Sequence, residues 1–187
     1  ADRFQHFLTA FFLYSIAVQT IMLIAAYFGV KEIQWPKGDA KTGLITSILL
    51  IQLVAIAGAY FAAKLTNYYA NERVLIGINF VWVGVCIYAF FIKTPVQFYI
   101  AAFFVGLVMG AIQSLSRSTF SKYIPETETD TTSFFSFYDV TEKIGIVIGM
   151  SIYALIAQLT GNVRYAILVL LLCFLFGIYK LFQIIKL

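Results

Sequence analysis

Residues Gly106 to Lys143 read GLVMGAIQSLSRSTFSKYIPETETDTTSFFSFYDVTEK. The stretch starts inside one apolar segment, passes through a polar bend and enters another. Arg117, Lys122, Asp139, Glu142 and Lys143 stand on its two shoulders. Before the bend, Gly106, Gly110, Ser114 and Ser118 recur every fourth residue. On a helix they form a smooth stripe that lets another helix approach closely. Gln113 and Arg117, also four apart, occupy the adjoining strip. Pro125 ends this helix, because proline cannot continue the hydrogen-bond ladder. After the acidic, turn-rich PETETDTT, a Thr or Asp can cap the next helix. Asp139 precedes Lys143 by four residues, the order that favours an ion pair within a helix. Thr141, Gly145 and Gly149 repeat the small-residue stripe. The two helices are expected to fit closely where the chain turns back.

Working outward, the rest of the chain reads as membrane-spanning scaffold. Of 187 residues, 61% are hydrophobic and 12% charged, and the mean hydropathy is +0.90. An average soluble domain carries about 25% charged residues. Lipid is therefore the expected solvent. Nineteen Phe and twelve Tyr agree, since aromatics fill helix interfaces and gather at headgroup level. The net charge of +4 comes with no basic run or basic–aromatic alternation, so no nucleic-acid partner is expected. The one histidine, His6, and the two cysteines, Cys86 and Cys173, give no metal-ligand spacing. No cofactor and no enzymatic activity are expected.

A helix crossing about 30 Å of hydrocarbon needs about 20 apolar residues. The sequence supplies six such segments, near 4–30, 42–64, 72–92, 95–121, 132–159 and 163–186. The apolar runs do not alternate as barrel strands would. The fold class is all-α: a polytopic membrane protein, a single bundle of six transmembrane helices. Trp35, Pro36 and Gly38 suit an interfacial turn after the first helix, and Pro95 suits the start of the fourth. The chain opens on Ala-Asp-Arg, without Met or a signal-peptide pattern, and reads as a piece of a longer polypeptide.

Six crossings put both termini on one side. That side carries Arg3, Lys64, Arg73, Arg117, Lys122, Lys180 and Lys186, against Lys31, Lys37, Lys41, Lys93 and Arg164 opposite. The excess of basic residues assigns the termini and the 106–143 bend to the cytoplasm, and the protein to a plasma or inner membrane.

Six helices with both ends cytoplasmic, in two sets of three, resemble one half of a major facilitator superfamily transporter. GAIQSLSRSTFSKYIP followed by FFSFYDVTEK resembles its vacuole-effluxer-like branch, related to autophagy-associated amino-acid effluxers and bacterial permeases. YSIAVQT in the first helix and LTGNVRYAIL before the sixth do likewise. The resemblance implies helices seven to twelve, the C-terminal half, with a missing N-terminal half supplying the other wall of a cavity. It implies that the first and fourth helices line that cavity. Three departures stand out. The superfamily signature Gly-x-x-x-Asp-Arg-x-Gly-Arg-Arg is replaced by Ala63 to Arg73, AKLTNYYANER, with Asn67 in the Asp position. Ala17 stands where the branch has Gly, and Glu142 where it often has a small residue.

The leading expectation is secondary transport of a small polar solute by alternating access. Gln19, Gln113, Tyr14 and Thr20 would hydrogen-bond the solute. Arg117 would attract a carboxylate or close the cytoplasmic gate. Glu142 or Asp139, with Lys143, would serve coupling or gating. Each has a structural alternative: interhelical bonding for Gln19 and Gln113, a clamp between helices for Arg117, a local ion pair for Asp139 and Lys143. The second functional reading is an oligomeric channel. A half transporter in isolation is expected to pair with a second copy or to be inert.

Overall fold

The computed structural model describes residues 2–125 and 130–186. Six helices follow one another: α1 Asp2–Glu32, α2 Ala40–Leu65, α3 Asn71–Phe91, α4 Pro95–Tyr123, α5 Thr131–Thr160 and α6 Val163–Lys186. All six are long and apolar enough to cross a membrane. They match the six hydropathy segments, with no end shifted by more than two residues.

Local chemistry sets several of these ends. Thr94 caps α4, accepting from the Gln97 amide at 3.4 Å, while Gln97 Oε1 accepts from the Thr94 amide at 3.2 Å. Pro95 at the first position loses no bond there. Asp130 caps α5 by accepting from the Ser133 amide at 3.1 Å. Gly161 closes α5 in the left-handed region, at φ +68°. Trp35 turns back from the α1–α2 loop and donates its Nε1–H to the Gly29 carbonyl at 2.8 Å. Its ring lies flush on Gly43, where a Cβ would stand 2.0 Å from it.

The helices pair as α2 on α4, α1 on α6, α3 on α6, α1 on α5 and α3 on α4, with lesser contact of α1 with α4. These pairs map onto themselves when α1 is exchanged with α4, α2 with α5 and α3 with α6. The bundle is thus two three-helix repeats, with α5 on α6 and a slight α1–α2 contact as the departures. The α4 stripe does not meet α5. Gly106 and Gly110 press on α2, where a Cβ at Gly110 would stand 1.9 Å from the Ala55 carbonyl oxygen. Gly58 of α2 returns the contact, 1.9 Å from the Leu107 oxygen by the same measure. Ser114 and Ser118, farther along the stripe, are exposed. The α5 stripe meets α1: Gly145 and Gly149 face Ile16 and Thr20. The glycines of each stripe thus pack against a helix of the first repeat, α2 or α1, and not against each other. In lipid such close backbone approach, rather than apolar burial, holds helices together.

Two polar clusters tie the ends of the bundle. On the side of the termini, Lys122 Nζ donates to Asn71 Oδ1 (3.0 Å), Asn71 Nδ2 donates to Thr119 Oγ1 (3.0 Å), and the Tyr123 hydroxyl donates to Glu72 (2.6 Å). On the far side, Arg164 of α6 is buried and pairs with Glu32 of α1 at 2.7 Å. It also donates to the Phe90 carbonyl at 2.7 Å, to Ala89 O and Glu32 O at 3.3 Å each, and lies over the Phe28 ring. One guanidinium thereby satisfies carbonyls left open at the ends of α1 and α3.

Candidate functional site

A polar cavity of about 330 Å³ opens between α1, α4 and α5. Its floor is set by helix periodicity. Phe11, Tyr14, Ser15, Val18 and Gln19 follow one face of α1, and Ile112, Gln113, Ser116 and Arg117 follow one face of α4. Tyr138, Glu142 and Lys143 come from α5. The close α1–α5 seam at Gly145 and Gly149 brings Glu142 within reach of α1.

Three contacts organise this space. Gln19 Nε2 donates to Glu142 Oε1 across 123 residues of sequence. The hydroxyls of Tyr14 and Ser116 meet at 2.7 Å, both groups fully buried. Arg117 Nη2 donates to Asp139 Oδ1 at 2.6 Å, and its guanidinium rests near the Phe135 and Tyr138 rings, 5.7 and 5.6 Å from their centroids. Tyr138 in turn stacks on Phe11, centroids 4.1 Å apart. With both partners about half exposed, the Arg117–Asp139 pair is a surface clasp of small strength.

Of the residues singled out from the sequence, Gln19, Gln113, Tyr14, Arg117, Glu142 and Lys143 all line this cavity. Thr20 does not. It is fully buried, donates to the Ile16 carbonyl at 2.6 Å and packs on Gly149 in the α1–α5 seam. Asp139 is not a lining residue and reaches the cavity only through Arg117. The expected Asp139–Lys143 pair is replaced by Arg117–Asp139. The guanidinium reaches across from α4 and takes the carboxylate, leaving Lys143 free of hydrogen bonds and ion pairs among the described residues. Ser116 and Tyr138 were not singled out. Ser116 lies three residues from Gln113, and that spacing was the available signal.

The cavity holds a carboxylate, two cations, two amides and several hydroxyls in an otherwise apolar bundle. Gln113 and Lys143 carry donors with no protein partner among the described residues, and the buried Ser15 hydroxyl has none either. Such a set can bind a solute presenting both donors and acceptors. Among the described residues no cluster of His, Cys, Asp and Glu could hold a metal.

The family described as "Vacuole effluxer Atg22 like" matches residues 2–185. The chain belongs to this Atg22-like family. It is similar to the "Uncharacterized MFS-type transporter YxiO" of Bacillus subtilis, 32% identical over 92% of the chain and 39% of that protein. It is similar to Autophagy-related protein 22 of Eremothecium gossypii, 30% identical over 86% of the chain and 32% of that protein. For Autophagy-related protein 22 of Saccharomyces cerevisiae the figures are 27%, 86% and 31%. The Atg22-like chain thus spans under two fifths of the length of these relatives. With six spanning helices it is an integral, multi-pass membrane protein, and its architecture is that of half of a major facilitator superfamily fold.

Proposed function

We propose that this Atg22-like chain is the C-terminal half of a secondary transporter that moves a small polar solute by alternating access. The observation that carries the reading is the Gln19–Glu142 contact inside an open cavity of mixed charge. Ionisable groups at membrane depth are costly and mark transport paths. The cavity volume suits a small metabolite. Lys143 and Gln113 are unpaired among the described residues and would meet an anionic or carbonyl group of the solute. Glu142 would alternate between accepting from Gln19 and taking a proton, so that its charge is linked to solute binding. The Arg117–Asp139 clasp would close the path on the side of the termini, which would be the cytoplasmic side.

The faces of α2 and α5 support the half-transporter reading. In each, only 17% of the most apolar window is buried, against 56% in α1. An N-terminal half laid on these faces would cover them and close the cavity. A second copy of the chain is the other occupant of the same faces, in an oligomeric channel.

Counterflow in liposomes containing the whole polypeptide tests the proposal. Flux that saturates, with Glu142→Gln losing pH-gradient-driven uptake but keeping solute exchange, is the expected result. Flux that rises linearly with solute and is unaffected by Glu142→Gln would favour the channel and overturn alternating access.

A further inference from the structure

On a different face of the bundle, a furrow runs between α3 and α4, with the last turns of α2, from Gly58 to Leu65, forming a third wall at the end near the termini. Two apolar hollows of about 770 and 250 Å³ share Val81 and Phe104 and so join end to end. The furrow's α3 wall is Arg73, Gly77, Val81 and Gly84, at helical spacing. Among the described lining residues, Arg73 alone is charged, at the end near the termini. There the Arg73 guanidinium makes no hydrogen bond or ion pair among the described residues. Its neighbour Glu72 accepts from the Tyr123 hydroxyl and forms no ion pair with Arg73 among the described residues.

The two glycines are a second, independent observation. A Cβ placed on Gly77 or Gly84 would meet nothing within 4 Å, unlike the seam glycines Gly58, Gly106 and Gly110. A glycine inside a helix is destabilising relative to alanine. No contact within the described chain requires these two, and their effect is to deepen the furrow. Arg73 and Gly84 are eleven residues apart, about 16 Å of helix rise. Half of the hydrocarbon core is about 15 Å. With Arg73 at headgroup level, the furrow therefore reaches the bilayer midplane at Gly84, and its lining continues to Tyr88, room enough for one acyl chain.

We propose that the α3–α4 furrow is a binding site for an anionic phospholipid of the leaflet on the side of the termini. One acyl chain lies over Gly77 and Gly84, and the phosphate pairs with Arg73. Basic residues between spanning helices at headgroup level recruit acidic lipids in this way. The site shares no residue with the polar cavity.

Native mass spectrometry of the full chain, extracted with equal phosphatidylglycerol and phosphatidylcholine of matched chains, tests it. The expected result is one retained phospholipid with about fivefold preference for phosphatidylglycerol, the worth of one cation at the membrane surface. Arg73→Gln should retain the lipid and lose the preference. Gly77→Leu, whose Cβ meets no protein atom within 4 Å and whose branch fills the furrow, should expel the lipid of either headgroup. Glycerol phosphate without acyl chains should not compete. Preference surviving Arg73→Gln, retention surviving Gly77→Leu, or displacement by glycerol phosphate would each overturn the proposal. Gly77→Leu that disrupts a protein assembly while lipid retention is unchanged would assign the furrow to a helix and overturn it as well.

Discussion

Replacing Arg164 with Met should be among the most damaging single changes in the bundle. The side chain is 11% exposed and its partner Glu32 18%. Met preserves much of the volume but removes every donor. It strands the Glu32 carboxylate and uncovers the Phe90 carbonyl, each now held at 2.7 Å. Removing one member of a buried ion pair costs about 3–5 kcal/mol. The lower end, about 3 kcal/mol, applies here, because Glu32 ends its helix and keeps some access to water. Arg164→Lys should fall between, because an ammonium keeps the charge but cannot span three acceptor sets with a planar fork. Equilibrium unfolding in mixed micelles, as a double-mutant cycle with Glu32→Gln, isolates the pair. A coupling of about 2 kcal/mol is expected. A loss below about 1 kcal/mol for Arg164→Met, or a coupling near zero, would refute the reasoning. The ends of α1, α3 and α6 would then be held by packing alone. The contact also bears on function. Arg164 joins one helix of the second repeat to two of the first, so that the half can move as a single body.

Two further outcomes follow from the packing and capping geometry. Gly58→Ala and Gly110→Ala each drive a methyl into a backbone carbonyl of the α2–α4 seam and should cost about 1–3 kcal/mol, while Gly77→Ala, in open space, should be neutral or slightly stabilising; the same unfolding series checks all three. The bonds from Ser133 hold the Asp130 carboxyl below its usual range. A lowered folded value means that the cap contributes fully above the ordinary carboxylate pKa and is lost as pH falls through the folded value. Hydrogen exchange at Ser133 should therefore quicken, relative to intrinsic rates, on acidification, and Asp130→Asn, which caps without titrating, should remove that pH dependence.

The six spans were legible in the residues because hydropathy is a local sum: each run of about 20 apolar residues must be a helix in lipid whatever surrounds it. The Asp cap of the fifth helix and Pro95 at the start of the fourth were equally local. Most of the cavity was legible too. Gln19, Gln113, Glu142 and Lys143 interrupt apolar helices, and such groups are tolerated chiefly when turned inward.

Which surfaces meet was settled by the assembled bundle. Lipid solvates every apolar helix face alike, so hydropathy cannot say which face packs. The α4 stripe faces α2, and α5 faces α1, because that arrangement buries both sets of glycines against backbone. Long side chains then chose partners by reach. Arg117 took Asp139 from Lys143, Glu142 found Gln19, and Arg164 gathered three helix ends. The residues joined in each case lie 22 to 132 positions apart. No spacing rule within one helix extends so far, and the contacts exist only once the helices cross.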